Sequence, residues 1–272
     1  MIGAPRTRTR GPSAEIAAAV DAMRAAAPLV HGATGSVTRA LVADGLLAAG
    51  ARPMLTESEQ EAPTLVTVAD ALLVNLGSLS GDGMAGLLPT ARAAVEHGVP
   101  WVLDPTAVGL APVRTPLAHE LLALGPTVLR GNASEVITLA GGTGRGRGAD
   151  STLGPDAAAE AARALARSSG CVVAVSGPVD LVTDGRQVVR IASGSPRLTK
   201  VTGTGCLLGA LTAAHLPGVA PFVAAVAATA LLTVASDRVG PMGPGSFKVA
   251  LVDALDAVTG DEVAAEVDLS WT

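Results

Sequence analysis

The sequence predicts an α/β protein with a mostly parallel central sheet covered by helices on both faces. Three observations carry that expectation. Short apolar runs alternate with longer helix-like segments from Pro28 to Ser176. The runs, such as Ala71-Leu-Leu-Val-Asn-Leu76 and Cys171-Val-Val-Ala-Val175, are apolar at nearly every position, as strands buried on both faces of a parallel sheet require. Most of the runs stop at a small polar residue or a glycine, where the chain turns toward the next helix.

Taken in order, residues 1 to about 12 read as a flexible basic arm, and residues 13–272 as one domain with no separating linker. Ser13 to Ala26 reads as a helix with Ser13 as its cap. Pro28 to His31 reads as a strand, followed by a polar turn at 32–36. A helix over 37–49 ends at Gly50. Strand 71–76 precedes helix 82–97. Strand 99–103 ends in Asp104-Pro105 and precedes helix 115–124. Strand 127–130 ends in Gly131-Asn132 and precedes helix 133–140. A Gly- and Arg-rich loop spans 141–149 and reads as a solvated loop near a nucleotide entrance. It is no P-loop, because no GK[ST] follows. Helix 155–169 precedes strand 171–175. Leu181-Val-Thr183 and Val188-Val-Arg-Ile191 read as a hairpin on the sheet edge. After Gly203 the pattern is largely helical to the end.

Composition narrows the function. Apolar residues make up 49% of the chain and charged residues 16%, enough to bury a large core. There is no Tyr, and only two Phe and two Trp, so the core must be built from Ala, Val and Leu. A net charge of -5, with no basic run beyond Arg6 to Arg10, gives little support to nucleic-acid binding. The start of the chain is basic but lacks a following apolar stretch, so it does not read as a secretory signal. The apolar stretch 222–235 is short for a membrane span and reads as a buried helix. Two cysteines, Cys171 and Cys206, form no disulfide framework and no metal motif, which fits a reduced, cytoplasmic setting. Cys171 heads an apolar strand and reads as core. The four histidines have no metal-ligand spacing, and His31 reads as structural.

In an open parallel sheet, ligands bind beyond the carboxyl ends of the strands. The polar residues expected there are Asn75, Asp104, Arg130, Asn132, Glu135 and Ser176. Each alone reads equally well as a helix cap; together they read as a polar site at one rim. The strongest local feature is Thr199-Lys-Val201-Thr202-Gly203-Thr204-Gly205-Cys206. Two glycines spaced by one residue before a helix aim several N–H groups one way, as an anion site requires.

On these segments the chain resembles the hydroxyethylthiazole kinase family, thiamin-salvage enzymes of the ribokinase-like superfamily. The resemblance runs from about Pro28 to Asp256. It rests on Pro28 to His31, Gly45 to Ala51, Asn75-Leu76-Gly77, Val102 to Pro105, Arg130 to Glu135, Ser176 to Asp180, Leu198 to Cys206 and Gly243 to Phe247. It implies a single-domain ribokinase-like fold and ATP-dependent phosphorylation of the primary alcohol of 4-methyl-5-(2-hydroxyethyl)thiazole. It also implies roles. Arg130, Ser176, Thr202 and Gly205 would meet ATP, with Ser176 keeping the hydroxyl of the usual Thr. Asp104 and Glu135 would hold Mg²⁺. Met54 and Gly203 would line the thiazole pocket. Cys206 would be the catalytic base, its thiol pKa lowered by the helix N-terminus. A homotrimer is implied as well.

The departures gather on the acceptor side. The usual His-Cys-Ile-Thr-Asn is His31-Gly32-Ala33-Thr34-Gly35 here, so Gly stands for Asn. Asp-Pro-Val-Gly-Ala-Gly becomes Asp104-Pro-Thr106-Ala107-Val108-Gly109. The small, His-containing turn after Met54 is Thr56-Glu57-Ser58-Glu59, and a His-containing segment before the phosphate loop is Ser193-Gly194-Ser195. Two other readings therefore stand beside the first: a kinase of another small heterocyclic alcohol, and a non-catalytic ligand-binding relative.

Overall fold

A computed structural model describes residues 12–142, 146–147, 150–151 and 155–271. Nine strands form one sheet in the order β11-β10-β9-β8-β5-β4-β3-β1-β2. The parallel part comprises β2 (Arg52–Met54), β1 (Leu29–Ala33), β3 (Ala71–Asn75), β4 (Trp101–Asp104), β5 (Val128–Asn132) and β8 (Val172–Ser176). β9 (Asp180–Thr183), β10 (Val188–Ile191) and β11 (Leu269–Trp271) continue it antiparallel.

Both faces of the sheet are buried, and side-chain alternation divides the core in two. Leu73, Val102, Val128 and Val189 face a layer made by α1 (Pro12–Ala26), α2 (Arg39–Ala49), α8 (Thr204–His215), α9 (Pro221–Arg238), α10 (Pro244–Ala257) and α11 (Gly260–Glu266). Leu72, Val74, Leu103, Leu129 and Val173 face α4 (Gly81–Glu96), α5 (Arg114–Ala123), α6 (Ala133–Leu139) and α7 (Pro155–Ser169). A short helix, α3 (Ala62–Leu65), leads into β3. The expected fold class is therefore the one found. The helix over 37–49 begins two residues later than expected and ends as expected, at a Gly50 with φ 99°.

α9 explains the apolar stretch. Among the described residues it is the one helix long and apolar enough to cross a membrane, but 78% of that window is buried within the protein. Its Ala224, Ala225, Ala227 and Ala228 are buried, and small side chains of this kind let helices approach closely. Thr229, Thr233 and Ser236 return their hydroxyls to backbone carbonyls of the same helix, so their burial leaves no donor unpaired.

Three expectations need correction or delimiting. β2 was not foreseen, because Arg-Pro-Met is too short and too polar to read as a strand; β1 supplies its pairing. The chain does not stay helical to its end. β11 covers the open edge of β10, so the 181–191 hairpin is not the last strand pair. In the 141–149 loop, β6 (Gly146–Arg147) pairs antiparallel with β7 (Asp150–Ser151), and the rest of 143–149, like the arm at 1–11, lies outside the described residues.

His215 closes α8 in full burial. Its Nδ1 donates to Leu211 O at 2.7 Å, so the neutral ring suffices. Burial, with a smaller push from Arg24, lowers its pKa from 6.5 to about 4. The unfolded chain therefore takes up this proton first as pH falls. The stability that depends on the neutral ring is complete above about pH 6.5 and drains away toward pH 4, by an amount on the order of 3 kcal/mol. Urea midpoints measured across that window should fall steeply in the native protein and less steeply in His215→Leu.

Candidate active site

The parallel register lines up the strand ends. Asn75 stands level with Asp104, and Asn132 with Ser176. The side chains then join across strands. Arg130 Nη1 donates to Asp104 Oδ2 at 3.1 Å, while its Nε and Nη2 donate to Ser176 Oγ at 3.2 and 2.8 Å. The Asp104 and Arg130 side chains are only 1% and 13% exposed, so the pair lies largely out of water. Asp104 Oδ1 accepts the hydroxyl of Thr106 at 2.9 Å.

Glu135 sits in the first turn of α6 and forms a reciprocal cap. Its backbone N–H donates to Asn132 Oδ1 at 3.0 Å, and its Oε2 accepts the Asn132 N–H at 2.8 Å. Its Oε1 accepts Ala107 N–H at 2.9 Å, in a turn where Ala107 has φ 68°. The capping reading is thus correct for Glu135. Burial, then the nearby Asp104 charge, pushes its pKa up to about 7. Two buried carboxylates press on each other with one guanidinium beside them.

α8 completes the rim. Its cap is Gly203 in the left-handed region, φ 96°, with no side-chain hydrogen bond to the first turn. Gly205 faces the guanidinium so closely that a Cβ there would stand 2.9 Å from Arg130 Nη1. Cys206, partly buried, accepts a hydrogen bond from Asn75 Nδ2 at 3.3 Å. The Thr204 hydroxyl is spent on Leu198 O at 2.9 Å. Burial and the Asp104 carboxylate push the Cys206 thiol up to about 11, against the downward pull of Arg130. The thiolate expected from the helix N-terminus is therefore not the resting form, because desolvation and a neighbouring negative charge outweigh the helix end.

Asp104, Arg130, Glu135, Ser176, Gly205 and Cys206 thus meet at one rim. Gly203 touches the start of α2, where a Cβ on it would come 3.1 Å from Thr38. Met54 ends β2, level with His31, and Thr202 is exposed just before the cap; among the described residues neither joins the hydrogen-bond network. Thr34, Thr38 and Thr106, which sequence reasoning passed over, do join it. The signal for Thr106 was its place two residues beyond a strand-end Asp. Cys171 is buried and held near Ser169, as a core residue.

This topology, with a guanidinium and paired carboxylates facing a glycine-capped helix, defines a small-molecule kinase of the ribokinase-like type. The family model "HK: Hydroxyethylthiazole kinase family" matches residues 20–261. A hydroxyethylthiazole kinase from Clavibacter sepedonicus is 50% identical over 251 residues, 91% of each chain. The solved hydroxyethylthiazole kinase of Pyrococcus horikoshii superposes with a TM-score of 0.87 at 32% identity, covering 94% of this chain and 98% of that one. A pyridoxal kinase from Staphylococcus aureus, solved with ADP, shares the fold at 18% identity and a TM-score of 0.62, covering 90% and 99%. The chain belongs to the hydroxyethylthiazole kinase family and is an enzyme, a phosphotransferase acting on an alcohol.

Gly35 gains a reason in this geometry. A Cβ there would overlap the Gly77 carbonyl oxygen, so the turns after β1 and β3 touch backbone to backbone. The atoms such a Cβ would meet, in Gly77 and Ser78, are all backbone, so no side chain can move aside. Restoring a side chain by Gly35→Asn should therefore cost at least about 2 kcal/mol, in the range of overpacked cores. A lowered urea midpoint would show it; an unchanged midpoint would mean the 76–78 turn yields freely.

Proposed function

We propose that the protein transfers the γ-phosphoryl group of ATP to the primary alcohol of 4-methyl-5-(2-hydroxyethyl)thiazole. One observation supports this most: Arg130, fixed on Asp104 and Ser176, beside the glycine-capped start of α8. A transferring phosphoryl group needs positive charge and pre-aimed N–H donors around its oxygens, and little covalent chemistry. Arg130 and Ser176 would meet the phosphates. The backbone of Thr202 to Gly205, with the leading N–H groups of α8, would receive the transferring group. Gly203 and Met54 would flank the acceptor.

Asp104 and Glu135 fit a Mg²⁺ ion. They offer oxygens only, they repel each other in burial, and that repulsion eases beside a cation. Mg²⁺ is commonly held by one or two carboxylates and completes its shell with water and phosphate. When bound, Mg²⁺ would neutralise charge on the polyphosphate.

Cys206 would accept a hydrogen bond from the acceptor hydroxyl and orient it. A thiol suffices in that role, because the loose transition state asks little of a base. The assembly proposed is a homotrimer in a cytoplasmic setting; light scattering should give three times the 26.7 kDa of one chain.

ADP release with the thiazole alcohol should require Mg²⁺ and stop on chelation. Arg130→Met should lower kcat by about 10²–10³-fold, as for loss of a transition-state donor. Cys206→Ala should lower it by about tenfold, the worth of one hydrogen bond, with KM for ATP unchanged. Turnover of another alcohol in a panel, with none of the thiazole, would overturn the acceptor. An alkaline rise in kcat/KM through the thiol pKa that disappears in Cys206→Ala would restore the base.

A further inference from the structure

One charged cluster on this rim takes no part in the phosphate site. Glu57, in the turn after β2, pairs with Arg39 at the start of α2 at 2.7 Å, and its side chain is 14% exposed. Its other oxygen accepts the hydroxyl of Ser80, the cap of α4, at 3.1 Å. Arg39 Nε donates to Thr34 O at 3.2 Å. The cluster therefore fastens together the turns that leave β1, β2 and β3. The seat is closely fitted. A Cβ at Gly83 would stand 2.7 Å from the Glu57 carboxyl carbon, and one at Gly86 would overlap the Glu57 carbonyl oxygen. α4 presents two bare glycines, Gly83 and Gly86, to this turn.

The fastened segment leads to the reacting side. Thr38 precedes Arg39 in the chain. Its hydroxyl lies 3.2 Å from that of Thr34 and donates to Gly35 O at 3.1 Å, and its methyl side packs on Gly203. Thr34 Oγ1 lies 3.5 Å from Asn75 Oδ1, and Asn75 Nδ2 donates to Cys206. A continuous line of contacts runs from Glu57 to the sulfur.

We infer that Arg39 and Glu57 are positioning residues for phosphoryl transfer, whose ion pair sets where Thr38 and Asn75 meet Gly203 and Cys206 and so fixes the fit of the acceptor alcohol. The inference rests on the reading of Gly203 and Cys206 as acceptor-side groups. A partly exposed ion pair adds little to stability, so its effect belongs to geometry. Small misplacements of groups around a reacting centre are costly in rate.

The test uses Glu57→Gln, Arg39→Met and the exchanged pair Arg39→Glu with Glu57→Arg. In both single variants KM for the thiazole alcohol should rise about fivefold to tenfold while KM for ATP stays within about twofold, and the exchanged pair should recover at least half of the loss. Alkylation of Cys206 by iodoacetamide gives a readout that needs no turnover, with buried Cys171 as the unreactive control. Its rate should rise at least about threefold in the single variants, as the thiol loses its fixed neighbours, and return in the exchange. Unchanged acceptor KM together with unchanged alkylation overturns the inference. So does an equal loss toward ATP and alcohol that the exchange does not repair. A native protein that leaves the thiazole alcohol unphosphorylated sinks the functional reading instead, and the alkylation rates then decide the positioning role alone.

Discussion

The buried pair of Asp104 and Arg130 is the constraint on which the rim is built. A carboxylate at the end of a central strand loses its water and must find a partner in the protein. Arg130, reaching across from β5, supplies that partner and spends its remaining donors on Ser176 of β8. Three neighbouring strands are thereby tied together at the rim. The pair also dictates what α8 must be. Gly205 lies against the guanidinium, and a Cβ at Gly209, one turn later, would stand 3.5 Å from Asp104 Oδ2. Positions i and i+4 share a helix face. The two glycines on that face leave room for the charges, and the leading turn of the helix comes to rest beside them.

The same pair sets the electrostatics. Burial first, and then the Asp104 charge that Arg130 only partly offsets, pushes Glu135 up to about 7 and the Cys206 thiol to about 11. Asp180, behind Arg130, is raised to about 6 by burial despite the Gly177 N–H and the guanidinium. A site with surplus negative charge next to unpaired helix N–H groups is poised for a ligand that brings cation and anion together. That is the composition of a nucleotide with its metal.

Much of this was legible in the sequence because strands end where polar residues begin. Asp104, Arg130 and Ser176 each stop an apolar run, with Glu135 in the helix turn that follows Arg130, and parallel topology carries such stops to one edge. What stayed hidden depends on contacts that no local pattern encodes. β2 and β11 are three-residue strands made by the edges they join. The roles of Thr34, Thr38 and Thr106 follow from neighbours on other strands. Glu57 and Arg39 look like surface charges until the turns after β1, β2 and β3 are brought together. The upward direction of the thiol's shift was hidden because a helix terminus is visible in a sequence, whereas its burial and the Asp104 carboxylate beside it are not. Gly35 shows the opposite case. The sequence reads it as a lost side chain, whereas the packed turns show that the space for one is absent.

The two halves of the rim are held by different means. The phosphate half rests on a charge pair inside the sheet, with each partner fixed by strand register. Removing either charge there leaves the other buried and uncompensated. The acceptor half rests on turns held to one another by hydrogen bonds and by backbone contact, with Arg39 and Glu57 as the outer fastening. Turns of that kind admit exchanges so long as their partners change with them. The departures at Gly35 and the 56–59 turn stand beside this second half, whereas those at Thr106 and Ala107 touch the first, where they bond Asp104 and Glu135. In the proposed reading the chemistry and the acceptor fit draw on two sets of contacts, joined at Asn75, which stands level with Asp104 in the sheet and donates to the sulfur of Cys206.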